Sequence, residues 1–149
     1  FEAAAFLRRY GADVTRVRKA FRNDMETYKA RAEAVRHAEA FMGCYAISVC
    51  PSEGLESPNV VGAQAANELL NIIGVKASFV LTDYNGKIFI SARSIDEVNV
   101  QIIMERLGGG GHMNIAGAQL TGTDLDGARQ KLKEFEALCK KKQDNRSVA

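Results

Sequence analysis

Residues 77–93 read ASFVLTDYNGKIFISAR, and no other stretch of the chain constrains its fold as strongly. The Asn85-Gly86 pair sits between two runs of strand-forming residues. A tight two-residue turn needs positive φ at both central positions, which Asn and Gly tolerate, so the pair predicts a β-hairpin. The first arm, ASFVLTD, is nearly all apolar, as expected of a strand covered on both faces. The returning arm, KIFISAR, alternates: Ile88, Ile90 and Ala92 fall on one side, Phe89, Ser91 and Arg93 on the other. One side of that arm is committed to a core, while the other carries a hydroxyl and a guanidinium.

Around the hairpin, helix and strand patterns alternate. Phe21, Met25, Tyr28, Ala32, Val35 and Met42 recur at helical intervals and predict a long linker helix over 21–43. CYAISVC puts Tyr45, Ile47 and Val49 on one side, a strand pattern that Pro51 ends. Ser57-Pro58 starts a helix whose face is Val61, Ala65, Leu69 and Ile72 and which stops at Gly74. NVQIIMERLG restores the helical period through Val100, Ile103, Met104 and Leu107. AGAQLTG reads as a final strand, and Thr123 or Asp124 caps a last helix with Leu125, Ala128, Leu132, Phe135 and Cys139 inward. The order predicts an α/β fold: a mixed β-sheet flanked by helices and preceded by a long linker helix. Strand pairing beyond the hairpin is left open by these patterns.

The 149 residues, 46% hydrophobic and 26% charged, suit one globular domain with a real core. A net charge of +2 speaks against a broad basic face for nucleic acid. Cys44, Cys50 and Cys139 lack C-x-x-C spacing and are odd in number, which argues against a disulfide framework and fits a reducing, cytoplasmic setting. No apolar run approaches the ~18 residues of a membrane span, and no signal peptide is recognisable. The chain opens on Phe1 with FEAAAFLRRYGAD, a helix already in progress that Gly11 would stop, so a fragment of a longer protein is expected.

Residues 108–113 read GGGGHM. Each glycine costs about 0.5–1 kcal/mol relative to alanine in a regular element, so a run of them needs a reason. A helix C-cap accounts for one. Consecutive glycines can gather backbone N–H groups into an anion-binding nest and let a ligand lie against the main chain. His112, at the exit, can donate to a phosphate oxygen. Arg93, within Ser91-Ala92-Arg93-Ser94, suits bidentate phosphate recognition, although an arginine ending a strand can equally just reach solvent. If strand and glycine loop share a sheet edge, Arg93 and His112 converge on one anion. His37 and His112 are far apart in sequence, and the cysteines are scattered, so no metal-ligand spacing is present. No Ser-His-Asp arrangement is suggested, and Asp83 and Asp96 sit where aspartate is mostly structural. These residues predict binding of a phosphate-bearing ligand without the equipment to hydrolyse it.

GGGGHMNIAG, preceded by SARS and a helix, resembles the DHH-associated domain, the substrate-binding half of DHH-family phosphoesterases. That family's loop runs Gly-Gly-Gly-His, two variable residues, then Ala-Ala-Gly. Gly109, Gly110, Gly111 and His112 match it, Met113 and Asn114 fill the gap, and Ala116 and Gly117 match again, while Ile115 replaces a small residue. The opening FEAAAFLRRYGADV, together with the extra Gly108 and AQL, is similar to cyclic-di-AMP phosphodiesterases of the GdpP type. The resemblance implies that 1–20 end a catalytic DHH domain, 21–43 form the linker helix, 44–142 the DHH-associated domain and 143–149 a disordered tail. It implies that Gly109, Gly110, Gly111, His112 and Arg93 hold substrate, with Ser91, Asn114 and Ala116 as neighbours. Two manganese ions are expected in the missing catalytic domain, with neither metal ligands nor catalytic residues here, so the fragment alone is expected to be inactive. The implied partners are cyclic di-AMP or its linear product pApA, and the chain's own upstream DHH domain. A homodimer is left open, and no membrane contact is implied for this part, although full-length relatives are tethered upstream. Related domains serve nano-RNase and RecJ-like oligonucleotide phosphodiesterases and an RNA-binding module of alanyl-tRNA synthetases, and both stand as alternatives.

Overall fold

The computed structural model describes residues 24–148, with side chains through Lys142, so the helix expected over the first residues lies outside the described part. Its strands are β1 (Glu39–Phe41), β2 (Tyr45–Val49), β3 (Ala77–Tyr84), β4 (Lys87–Ser94), β5 (Gly110–Gly111) and β6 (Ile115–Leu120). Its helices are α1 (Met25–Arg36), α2 (Pro58–Leu69), α3 (Val100–Arg106) and α4 (Leu125–Val148). The strands form one mixed sheet in the order β1-β2-β3-β4-β6-β5. The hairpin β3–β4 lies at its middle, with Tyr84 opposite Lys87 and positive φ at Asn85 (54°) and Gly86 (73°), as the turn demands. β2 and β3 run parallel, and α2 supplies the crossover that a parallel pair requires.

β3 is buried from Ala77 to Thr82 because both of its faces are covered. Phe79 and Leu81 join Ile88, Ile90 and Ala92 of β4 against Ile103 and Met104 of α3 and Ala128 and Leu132 of α4. Burial of a side chain such as Phe79 or Leu81 is worth about 1.5–3 kcal/mol. On the opposite face Val80 packs with Val61, Ala65 and Leu69 of α2 and with Ala30 and Ala34 of α1. Two buried serines on that face are satisfied by helix carbonyls: Ser48 donates to Ala34 and Ser78 to Ala66, the latter at 2.5 Å. Among the described residues, no helix is long and apolar enough to cross a membrane.

The first helix corrects the expected span of 21–43. It ends at Arg36, and Glu39–Phe41 instead forms the edge strand β1 before Met42 (φ 55°) and Gly43 (φ 81°) turn the chain into β2. Its buried residues are Ala30 and Ala34, whereas Met25 and Tyr28 are 65% and 59% exposed. Two alanines allow α1 to approach α2 and Ser48 closely, so small side chains rather than large ones mark the packed face. Ser57 stands at the start of α2 as expected, but its side chain makes no cap hydrogen bond; Pro58 fixes the first turn. Asp124 caps α4, accepting the Gly127 N–H at 2.7 Å. The α4 backbone continues as helix to Val148, past position 143 where a tail was expected, because no glycine or proline follows Gly127 to stop it.

On α4 the expected face turns inward, and Glu136 turns inward with it. Its side chain is fully buried, and neither carboxylate oxygen has a hydrogen-bond partner among the described residues. Burial pushes its pKa up to about 8, against the lowering charge of Lys133. The folded state therefore holds a proton that the unfolded chain has released, and stability falls as pH rises from about 4.5 to about 8. The slope is at most about 1.4 kcal/mol per pH unit. Urea midpoints across that range are expected to decline for the wild type and to stay flatter for Glu136→Gln; equal slopes would contradict this assignment.

Candidate functional site

On the face of the sheet that α1 and α2 cover over β2 and β3, α2 reaches only partly onto β4, whose Phe89, Ser91 and Arg93 stay half-buried, and β6 is left open. There three cross-strand pairs stand in a row: Phe89 with Gln119, Ser91 with Gly117, and Arg93 with Ile115. α2 walls one side with Asn59, Val60 and Ala63, and residues 108–112 close another, leaving a cavity of about 870 Å³. That volume lies within the roughly 300–1,000 Å³ typical of small-molecule sites. Among the described residues, Arg93 and His112 are its charged or chargeable lining side chains, and no acidic side chain lines it.

Arg93 is half-buried, and its guanidinium donates to the backbone carbonyls of Ala92 at 2.9 Å and Ala116 at 3.5 Å. Burial draws its pKa below the ordinary arginine value, yet arginine remains a cation near neutrality. Among the described residues no carboxylate lies within ion-pair distance of it. Backbone carbonyls orient the guanidinium without neutralising it, so its charge is free to meet an anion.

The glycine run divides its work. Gly108, at φ 83°, ends α3, and its N–H donates to Glu105 at 3.0 Å. Gly109 donates to Met104 at 2.8 Å, and a Cβ on it would come within 2.0 Å of the Gly117 carbonyl oxygen. Gly110 and Gly111 pair with Gly117 and Ala116 as β5. His112 is exposed, and its N–H donates to Ile115 at 2.7 Å. The N–H groups of residues 108, 109 and 112 are thus taken up within the chain, and the run is not the nest of free donors that its composition suggested. With 112 bonded to 115, antiparallel alternation turns the Gly111 N–H toward the open sheet edge. A Cβ on Gly110 would meet no atom within 4 Å, and its φ is not in the left-handed region. Nothing among the described residues requires glycine there; what it supplies is bare backbone beside the cavity.

The structure brings Gly109, Gly110, Gly111, His112, Arg93, Ser91 and Ala116 around one space. Asn114 lies apart from that lining: its carboxamide donates to Ser94 Oγ at 2.9 Å and to the Asp96 and Val98 carbonyls at 3.4 Å, tying β6 to the loop before α3. His37 is engaged on the surface with Glu33 at 2.8 Å. Among the described residues no three His, Cys, Asp or Glu side chains cluster as a metal site. Phe89 and Gln119 were not singled out from sequence, although the alternation that located Arg93 puts Phe89 on the same side. Asn59, Val60 and Ala63 had no such signal, since only helix packing brings them there. Gly110→Ala is expected to keep its stability within about 1 kcal/mol of wild type. Gly109→Ala is expected to lose about 1–3 kcal/mol through overpacking. Denaturant melts compare the two, and equal losses would contradict the division of roles.

Residues 43–138 match the DHHA1 domain. The chain is 42% identical over 136 residues to the cyclic-di-AMP phosphodiesterase GdpP of Geobacillus thermodenitrificans, covering 90% of this chain and 20% of that protein. It is 41% identical over 133 residues to the cyclic-di-AMP phosphodiesterase PdeA of Listeria monocytogenes, covering 89% and 20%. The chain therefore spans about a fifth of the length of these curated relatives. Among solved structures, an exopolyphosphatase-related protein from Bacteroides fragilis superposes with a TM-score of 0.70 at 20% identity, over 87% of this chain and 41% of that one. The C-Ala domain of Aquifex aeolicus alanyl-tRNA synthetase does so with 0.51 at 20% identity, over 66% and 96%. At such identity these likenesses speak for the fold. The match over residues 43–138 takes in most of the sequence: the chain belongs to the DHHA1 domain family.

Proposed function

We propose that this chain is the nucleotide-binding part of a cyclic-di-AMP phosphodiesterase and holds its substrate against a DHH catalytic domain upstream. The observation that carries this reading is the unneutralised Arg93 guanidinium in the same acid-free cavity as the glycine loop and His112. A phosphodiester is anionic at all relevant pH, and a planar guanidinium matches its oxygens in a bidentate fashion. Ser91 adds a hydroxyl one step along the strand face, and the bare Gly110 backbone lets the phosphate approach closely. The names of the relatives, cyclic-di-AMP phosphodiesterases, support this substrate class.

Two manganese ions in the upstream domain would supply activated water for attack at phosphorus when bound. The described residues of this chain offer no cluster of ligands to hold such ions, so its part is to bind and orient. Three free thiols are consistent with a cytoplasmic setting for the domain.

Calorimetric titration of the chain with cyclic di-AMP and pApA tests the reading. Hydrogen bonds to charged groups are worth about 1.5–3 kcal/mol, so Arg93→Ala is expected to weaken binding at least about tenfold. His112→Ala is expected to weaken it by less, because its side chain is exposed. Unchanged affinity in both variants would overturn the site assignment. Affinity that climbs with the length of a competing single strand would favour an oligonucleotide substrate instead.

A further inference from the structure

The cavity has two chemically different ends. The register puts Arg93 and His112, both next to Ile115, at one end and the Phe89–Gln119 pair at the other, where Gly62 of α2 meets Thr82, the partner of Phe89 on β3, and brings Val60 to that end. Phe89 and Arg93 are on the same face of β4, separated by four residues, or about 13 Å of strand at ~3.3 Å per residue. Between them the Ser91–Gly117 pair has no bulk on the β6 side, so the middle of the row is hollow.

Phe89 is an unusual occupant of this wall. It is not part of either core cluster, and its ring is only partly buried. Tyr84 stands beside it on the same sheet face, ring centroids 6.4 Å apart and tilted by 43°. Val60, 51% exposed on the first turn of α2, lines the same cavity together with Asn59 and Ala63. Gln119, the cross-strand partner of Phe89, lines the cavity next to the ring and offers a carboxamide donor and acceptor. A partly exposed aromatic ring in the same cavity as an exposed apolar side chain, with an amide beside it, is the chemistry that receives a planar heterocycle.

We infer that Phe89 and Val60 form a nucleobase-stacking subsite at the far end of the cavity, with Gln119 at the base edge. The subsite rests on the phosphate-binding reading of Arg93, which sets the other end of the ligand. A nucleotide so placed runs along the strand face: phosphate at Arg93, sugar over the hollow Ser91–Gly117 pair, base on Phe89. The proposal assigns nucleoside phosphates rather than bare phosphate or polyphosphate as the ligand class, since those would leave the apolar end unused.

The chain contains no tryptophan, so Phe89→Trp installs a single reporter in the proposed platform. AMP and pApA are expected to quench its fluorescence on saturation, whereas ribose 5-phosphate, which lacks a base, leaves it unchanged. In parallel, Phe89→Ala and the volume-conserving Phe89→Leu are expected to weaken pApA about tenfold while the weak affinity for ribose 5-phosphate stays as in wild type. Circular dichroism checks that both variants fold, and the Leu variant keeps the comparison valid if the Ala variant does not. Arg93→Ala is expected to weaken both ligands. If Phe89→Leu retains wild-type affinity for pApA, or the Trp reporter does not respond, while Arg93→Ala still abolishes binding, the base subsite is overturned and the phosphate reading stands. If wild type binds neither ligand, both fall together.

Discussion

Gly109 lies so close to β6 that a Cβ there would come within 2.0 Å of the Gly117 carbonyl oxygen, and the shape of the cavity depends on that approach. Its N–H is held at 2.8 Å by Met104, a fully buried residue of α3. The chain leaving α3 is thereby pressed onto the edge of the sheet, where two glycines pair as β5. With a side chain at 109 the loop would have to lift, and the wall that faces Arg93 would move with it. The glycines that cost the fold conformational freedom are therefore not simply loose. One ends a helix, one fits against β6, and Gly110 leaves backbone uncovered beside an arginine.

The same economy appears in the sheet. β4 divides its residues between two tasks with no helix over its odd-numbered face beyond the reach of α2. Ile88, Ile90 and Ala92 anchor the strand in the core, and that anchoring makes Phe89, Ser91 and Arg93 a rigid row rather than a mobile fringe. Sites built on strands hold their side chains more precisely in place than sites on loops. His112 alone among the charged or chargeable lining groups comes from a connecting segment, and it is the more exposed of the two. A rigid guanidinium and an adaptable imidazole suit a ligand that must be gripped and later released.

Much of this was legible in the sequence because it is local. The Asn85-Gly86 turn, the alternation of β4 and the inward faces of α2 and α4 depend on neighbours a few residues apart, and each appears where the pattern put it, except that α2 ends at Leu69 and leaves Ile72, expected inward, 45% exposed. Failures came where tertiary contact decides. β1 and β5 contain three and two residues, too few for a period to show. In α1 the packed face is marked by Ala30 and Ala34, which carry less hydrophobic weight than the exposed Met25 and Tyr28. Glu136 reads as a surface residue by type, and only the docking of α4 makes it a buried acid. Of the site, Arg93, Ser91 and the glycine-histidine loop were legible from residue chemistry and family resemblance. The contribution of α2 was not, since nothing in Asn59, Val60 or Ala63 signals which strand they will face.

The central claim is that one anionic nucleotide lies between the strand face of Arg93 and the bare backbone of the glycine loop. An amide and guanidinium NMR map of the labelled chain during titration with pApA tests it most directly. The account predicts that the largest shifts fall on Gly110, Gly111 and His112, on Ser91 and Gly117, and on the Arg93 Nε–H, with α4 and the α1 surface unmoved. Shifts confined to those helices, or a saturable titration that leaves Arg93 and the glycines unperturbed, would contradict it.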